Sequence, residues 1–275
     1  NTLSSSNRGI LHTLMDLIFF RGNKVIFQHF NLRVNNQQFI GLIGPNGTGK
    51  STLLKLLAKL IVPHHGVIFY KNHPLNDLNT LAVAKAIAYM PQTTDMDYPF
   101  TVKEMVRMGR RPHRHRFQWN HEKDDRVVDD ALRQTGIWHL RDRLMTALSG
   151  GEKQLVFLAR TIAQQSEVIL LDEPTSDLDI YHQVKICQVV SELVQSGKTV
   201  IAAIHDINLA ARYCDRVLLL REGNVIAYGP PDEALTQENL LKTYRIHSFV
   251  YHEHFTGKRQ IIPYKTQRDE MLTTR

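Results

Sequence analysis

The sequence predicts an α/β fold with a mostly parallel core sheet, an N-terminal antiparallel β subdomain and a helical insert. Three observations carry that expectation. The runs 39–43, 168–171 and 199–204 are short and almost wholly apolar, as strands buried on both faces are. Apolar residues recur at helical spacing over 153–165 and 180–195 between the later runs, and strands alternating with helices give a parallel sheet. The N-terminal stretch instead alternates as strands do over 14–20 and 24–34, about a turn at Arg21-Gly22-Asn23.

After the 39–43 run, a glycine-rich loop leads directly into a helix whose Leu53, Leu54, Leu56, Leu57, Leu60 and Ile61 share one spacing. Between Met90 and Ser149 there is no strong strand pattern. Thr101-Val102-Lys103-Glu104 reads as a capping box that opens a helix, and Val127, Val128, Ala131 and Leu132 give a second apolar stripe. That stretch is the expected helical insert. Farther on, 217–220 and 225–228 form a hairpin about Glu222-Gly223-Asn224, followed by Gly229-Pro230-Pro231. Beyond Asp232 the pattern gives one helix and a short strand. With no repeat or long linker, residues 1–275 read as a single domain, with a helical subdomain over about 93–152 and a C-terminal tail over about 233–275.

A chain of 275 residues can bury a large core, and 43% hydrophobic with 22% charged residues is an ordinary globular composition. No apolar stretch approaches the roughly 18 residues of a membrane-spanning helix. Asn1 to Gly9 is polar and serine-rich, unlike a secretory signal. Cys187 and Cys214 are too few for a disulfide framework and fit a reducing compartment. The net charge of +7 and pI near 9.4 favour anionic partners. Arg107, Arg110, Arg111, Arg114, Arg116, Lys123 and Arg126 crowd one segment, interleaved with His113, His115 and His121. That suits either a solvated face or a docking surface near a membrane. The fourteen histidines, His252 and His254 among them, come without an H-E-x-x-H or paired C-x-x-C framework, so no structural metal site is expected.

Gly44-Pro45-Asn46-Gly47-Thr48-Gly49-Lys50-Ser51 matches G-x-x-x-x-G-K-[ST] in full. Glycines let the backbone curl into a nest of inward N–H groups, and the following helix aims its positive end at the same phosphates. Lys50 is placed to reach the β- and γ-phosphates and the Ser51 hydroxyl to hold Mg²⁺, with Thr52 completing the nucleotide-binding run. The 168–171 run then delivers Asp172 and Glu173 at the end of the sheet where ligands bind. Asp172 suits Mg²⁺ and Glu173 suits a general base that polarises the attacking water. His205 ends the 199–204 run before Asp206, a good N-cap, and is positioned to sense the γ-phosphate. Gln92, after Tyr89-Met90-Pro91, is a candidate for holding Mg²⁺ and the attacking water at the start of the insert.

Leu148-Ser149-Gly150-Gly151-Glu152-Lys153-Gln154 is locally a capping box, with Ser149 as N-cap and Glu152 at N3. A capping box explains Ser149 and Glu152 but not the two glycines, which leave bare N–H groups at a polarised helix end. Two phosphate half-sites in one chain imply that the second completes the site of another subunit.

From roughly Leu14 to Pro263 the sequence resembles the ABC ATPase family, a P-loop fold. The phosphate loop, Gln92, the Ser149 signature, Asp172-Glu173, Ser176-Asp177-Leu178-Asp179 and His205 occur in the family's order. The resemblance implies ATP hydrolysis with Mg²⁺ in a head-to-tail homodimer. Each ATP would be held by Lys50 of one chain and Ser149-Gly150-Gly151 of the other, with Asp179 at the dimer seam. Phe20, or else Arg21, would stack on adenine. Glu152 stands where Gln is commoner, and Asp177 where a small residue or His is usual. Full hydrolytic competence is still expected, since neither touches the phosphates.

Tyr98-Pro99-Phe100-Thr101-Val102 running into Met108-Gly109-Arg110-Arg111-Pro112-His113 is similar to the branch importing ferric siderophores, haem and vitamin B12. So are Leu178-Asp179-Ile180-Tyr181-His182-Gln183 and the stretch from His205-Asp206 to Cys214-Asp215. A zinc or manganese importer ATPase is the alternative within the family, and a soluble ABC protein of translation or DNA repair the alternative outside transport. The implied partners are membrane permease subunits and, through them, a periplasmic or extracellular solute-binding protein, with no nucleic acid. The implied place is the cytoplasmic face of a bacterial plasma membrane. Tyr98-Pro99-Phe100 suits either contact with the permease or packing of the insert.

Overall fold

The computed structural model describes residues 9–92, 99–113 and 121–264. Strands β1 (Ile10–Arg21) and β2 (Lys24–Asn35) form the N-terminal hairpin, with Arg21 opposite Lys24 and Gly22 at φ 61° in the turn. Next come β3 (Phe39–Ile43), buried throughout, and helix α1 (Lys50–Leu57). The chain returns to the hairpin through β4 (His65–Tyr70) and β5 (His73–Pro74), giving an antiparallel sheet in the order β2-β1-β4-β5. Helix α2 (Thr80–Ala86) leads into β6 (Ile87–Met90). The insert holds α3 (Val102–Arg107), a 3-10 turn over Met108–His113, and α4 (His121–Gln134).

Helix α5 (Gly150–Ala163) packs on both insert helices and returns the chain to the sheet. There β7 (Val168–Asp172), α6 (Ile180–Gln195), β8 (Thr199–Ala203), α7 (Ile207–Tyr213) and β9 (Arg216–Arg221) follow one another. The tail consists of β10 (Asn224–Gly229), α8 (Pro231–Ala234), α9 (Gln237–Tyr244) and a hairpin of β11 (His247–His252) with β12 (Arg259–Tyr264).

The core sheet runs β10-β9-β3-β8-β7-β6, and every pairing in it is parallel except β9 with β10. Alternation splits its side chains cleanly. Phe39, Ile43, Ile169, Leu171, Val200 and Ala202 join the core shared with the insert helices. Ile40, Leu42, Leu170, Ile201 and Ala203 face α1 and the antiparallel subdomain. The expected capping box at Thr101 is present, its hydroxyl accepting from Glu104 N while Glu104 Oε2 accepts from Thr101 N.

Three features differ from the sequence reading. Helix α1 stops at Leu57 instead of running to Ile61, and Leu60 is 56% exposed. Lys59 takes left-handed backbone at φ 55°, Lys59 N donates to Leu56 O and Leu60 N to Lys55 O, which closes the helix with a Schellman motif. Lys59 Nζ donates to Asn76 O and Leu78 O, so tertiary bonds offset the strain of that backbone. Second, the tail holds two helices and a hairpin where one helix and a strand were expected, because Thr236 caps a separate turn of chain at α9. Third, part of the basic segment is built into the fold, while Arg111, Lys123 and Arg126 stay exposed. Arg110 is buried, donating to Asp124 Oδ1 at 2.8 Å and to Ala163 O at 2.7 Å, and Arg107 pairs with Asp125. His113 Nε2 lies 2.7 Å from Gln164 O, which can only accept, so that nitrogen carries the proton. Cationic and donor groups thus close the C-terminal end of α5, where the helix dipole favours them. Arg114, His115 and Arg116 lie outside the described residues.

Candidate functional site

The glycine-rich loop leaves the carboxyl end of β3 and enters α1 at Lys50. Gly49 caps that helix at φ 100°, and a Cβ there would meet Phe27 at 2.7 Å, so both backbone and space require glycine. A groove of about 400 Å³ opens over the loop, lined by Arg21, Lys24, Ile26, Asn46, Gly47, Gly49, Lys50, Ser51, Thr52, Gln92, Glu173 and His205. The β1–β2 hairpin and the segments that follow β3, β6, β7 and β8 therefore converge on one space. Pro45 and Thr48 line the other side of the loop, where the Thr48 hydroxyl donates to Pro45 O.

Lys50 is 4% exposed and donates to Gly44 O at 2.6 Å and Pro45 O at 3.1 Å. Burial lowers its pKa, and the charges of Glu173 and Asp172 act against that shift. The ammonium is thus held at the loop and faced by two carboxylates. Asp172 is 1% exposed and accepts from Ser51 Oγ at 2.8 Å and from Tyr89 Oη at 3.0 Å. Burial, then the Asp172 charge, raises the Tyr89 pKa, so the phenol stays a donor. The Ser51 hydroxyl, the Asp172 carboxylate and the nearby Gln92 amide are hard oxygen donors, the kind that Mg²⁺ takes. That donor set fits the metal. Among the described residues no group of three or more His, Cys, Asp or Glu could hold a metal ion.

Glu173 follows at φ 53°, left-handed backbone that costs a non-glycine residue about 1–2 kcal/mol. Three neighbours hold its carboxylate: Gln92 Nε2 at 2.6 Å, His205 Nε2 at 2.6 Å and Ser176 Oγ at 3.3 Å. Gln92 and His205, far apart in sequence, thus meet on one carboxylate at the mouth of the groove.

The signature stands apart from this groove. Ser149 caps α5, its hydroxyl accepting from Glu152 N, and Glu152 Oε2 accepts from Ser149 N at 2.8 Å. Hydrogen bonds from Ser149, foremost its backbone N–H, lower the Glu152 pKa, so Glu152 remains a charged acceptor. The two glycines differ. A Cβ at Gly151 would meet the His182 ring at 2.5 Å, so packing alone accounts for that glycine. A Cβ at Gly150 meets nothing within 4 Å, so no contact inside the chain requires a bare backbone there. Asp179 caps α6, accepting from His182 N at 2.9 Å, and that bond lowers its pKa. Asp177 takes φ 57°, a conformation that Asp tolerates better than most residues.

Arg21, and not Phe20, lines the groove. Phe20 packs edge-on against His64 at 5.4 Å, and its N–H donates to His64 Nδ1. Phe100 is partly buried against the core, while Tyr98 lies outside the described residues. Sequence reasoning missed Tyr89 as the second support of Asp172, and Lys24 as a cation on the groove. Tyr89 sits at the carboxyl end of a strand beside β7, and that placement could have singled it out.

Residues 27–176 match the ABC transporter family. The chain is 38% identical over 239 residues to the cobalamin import ATP-binding protein of Halobacterium salinarum, covering 86% of this chain but only 60% of that protein's length. It is 40% identical over 232 residues to the achromobactin transport ATP-binding protein of Dickeya dadantii, covering 84% of this chain and 86% of that one. In three dimensions it resembles a dimeric ATP-binding cassette solved in a post-hydrolysis state with ADP and Pi, with a TM-score of 0.71 and 27% identity over 80% of this chain and 99% of that one.

Proposed function

The chain belongs to the ABC transporter family, and we propose that it is the ATP-binding and ATP-hydrolysing subunit of an importer for a ferric siderophore, haem or cobalamin. The carrying observation is that Lys50, Ser51, Gln92, Glu173 and His205 line one groove over a complete phosphate loop. Lys50 and the loop amides bind the β- and γ-phosphates of ATP. Ser51 and Asp172 would hold Mg²⁺, with the Gln92 amide oxygen as a further donor. When bound, the ion neutralises charge on the phosphates. Glu173 accepts a proton from the attacking water, oriented by the Gln92 amide and the His205 ring that now bracket it. His205 then faces the γ-phosphate.

Gly150, bare without a packing reason, supports a second half-site that completes the groove of another copy. The working form in this reading is a head-to-tail homodimer with Asp179 at its seam. Among the described residues no helix is long and apolar enough to cross a membrane. Transport in this reading therefore needs separate permease subunits, with the chain on the cytoplasmic face of the membrane and a solute-binding protein delivering cargo on the other side. The cargo class is supported by the relatives' names, because the ATPase itself contributes no surface to cargo.

The test pairs two variants. Glu173→Gln keeps ATP binding, lowers turnover by about 10²–10⁴-fold and accumulates an ATP-bound dimer. Adding Ser149→Arg returns that dimer to monomer in sedimentation. Near-normal turnover in Glu173→Gln removes Glu173 as the base, and an undiminished dimer in the double variant removes the second half-site.

A further inference from the structure

Helix α5 opens at Gly150 behind the Ser149 cap, and α6 opens at Ile180 behind the Asp179 cap. The N–H groups of Gly150 and Gly151 head α5. Among the described residues neither has an acceptor, since the Ser149 hydroxyl takes the N–H of Glu152. The outer residues of the first turn of α6 pack on nothing: Ile180 is 79% exposed and Tyr181 71%. The next residue, His182, turns inward, its side chain only 17% exposed. A Cβ on Gly151 would meet three atoms of its ring at 2.5 to 2.6 Å, so the ring lies directly against that glycine. Hydrogen bonds from His182, first its backbone N–H and then its ring, hold the Asp179 pKa down and keep the carboxylate charged. His182 Nδ1 lies 2.9 Å and 3.0 Å from the two carboxylate oxygens, which can only accept, so Nδ1 carries the proton. One imidazole thus touches both a glycine that heads one helix and the carboxylate that caps the other.

We propose that His182 is a positioning residue for the second half-site, holding the Gly150-Gly151 end of α5 and the Asp179 carboxylate at a fixed spacing for another copy of the chain. This inference rests on the reading that Ser149 to Gly151 completes the groove of another copy. His182 itself touches no phosphate in this reading; it acts through Gly151 and Asp179. Without the ring, the start of α5 loses its support and the Asp179 side chain is free to turn. Each half-site then spends part of its time in arrangements that do not fit the other copy, and closure weakens by that fraction. A closed dimer uses two such half-sites, so the loss enters twice.

The experiment uses the full chain in the Glu173→Gln background with ATP, and measures dimerisation by sedimentation with and without His182→Ala. A loss of about threefold to tenfold per half-site predicts a dimer dissociation constant about tenfold to a hundredfold higher. His182→Asn, which keeps an N–H near the place of Nδ1, should lose less than His182→Ala. ATP affinity of the separated chain, measured with Ser149→Arg also present, should stay within about twofold on adding His182→Ala, because each chain's own phosphate loop is untouched. Dimerisation of the His182→Ala protein equal to that of its parent overturns the role of His182. So does a fall in the separated chain's ATP affinity and thermal midpoint that matches the loss of dimer, since that is general destabilisation. A Glu173→Gln parent that stays monomeric with ATP, or that dimerises equally well with Ser149→Arg, instead brings down the half-site reading and the proposal with it.

Discussion

His12 gives the protein a stability that depends on pH. It lies on β1 with 0% exposure, its ring tilted against Tyr70 at 5.3 Å, and neither ring nitrogen has a partner. Burial holds its pKa at about 3, against 6.5 for a free histidine. The native chain therefore keeps the ring neutral while the unfolded chain protonates it below pH 6.5. Between those limits the unfolded state carries one more proton, so stability falls as pH falls, by about 1.4 kcal/mol per pH unit. From pH 7.5 to pH 5 this one residue removes about 2 kcal/mol, a large part of a marginal total. His12→Phe keeps a flat ring on Tyr70 and abolishes the titration. Urea unfolding of both proteins at pH 7.5 and pH 5 gives the two stability differences. The variant is expected to gain about 2 kcal/mol relative to wild type on acidification. Any constant packing cost of the larger ring cancels in that comparison. A difference that is the same at both pH values refutes the reasoning.

Two further outcomes follow from buried polar groups. Arg110→Met leaves Asp124 and two acceptors at the end of α5 without their donor. It should cost about 3 kcal/mol in denaturant unfolding, the lower end for a broken buried pair because Asp124 retains some exposure; adding Asp124→Leu should recover part of the loss. Tyr89→Phe removes one of the two donors to Asp172 and should raise the Mg²⁺ concentration for half-maximal ATP turnover about tenfold, leaving the thermal midpoint nearly unchanged.

The parts of the fold that sequence shows well are those where one local rule decides. The mainly apolar runs of β3, β7 and β8 suit a doubly covered strand, and the capping boxes at Thr101 and Ser149 mark helix starts through contacts three residues apart. Elements decided by distant contacts were not legible. Strand β6, with only four residues after α2, is identified by its pairing with β7, and β4 by its pairing with β1. The end of α1 was missed because Lys59 adopts a glycine-like backbone, secured by carbonyls of residues 76 and 78. The basic segment illustrates the same limit. Its charge is visible in sequence, but that Arg110 closes the end of α5 is a property of two elements some fifty residues apart. In the site, spacing singled out the loop and the acid pair, whereas Tyr89 and Lys24 enter only through the strands that carry them.

Adjacent carboxylates can serve different roles here because the strand ends between them. Asp172 is the last residue of β7 and keeps strand geometry, so its side chain turns inward, where Ser51 and Tyr89 each occupy one of its oxygens. Had Glu173 continued the strand, alternation would have carried it to the opposite face of the sheet, away from the loop. Its left-handed backbone breaks that alternation and brings its carboxylate onto the same groove. The strain of that conformation is of the same order as a few hydrogen bonds, and Gln92, His205 and Ser176 supply three. Two of those partners come from the ends of other strands, so Glu173 holds its position only while β6, β7 and β8 are in register. Loss of the Gln92 amide would leave Glu173 with the His205 ring as its one remaining partner at 2.6 Å.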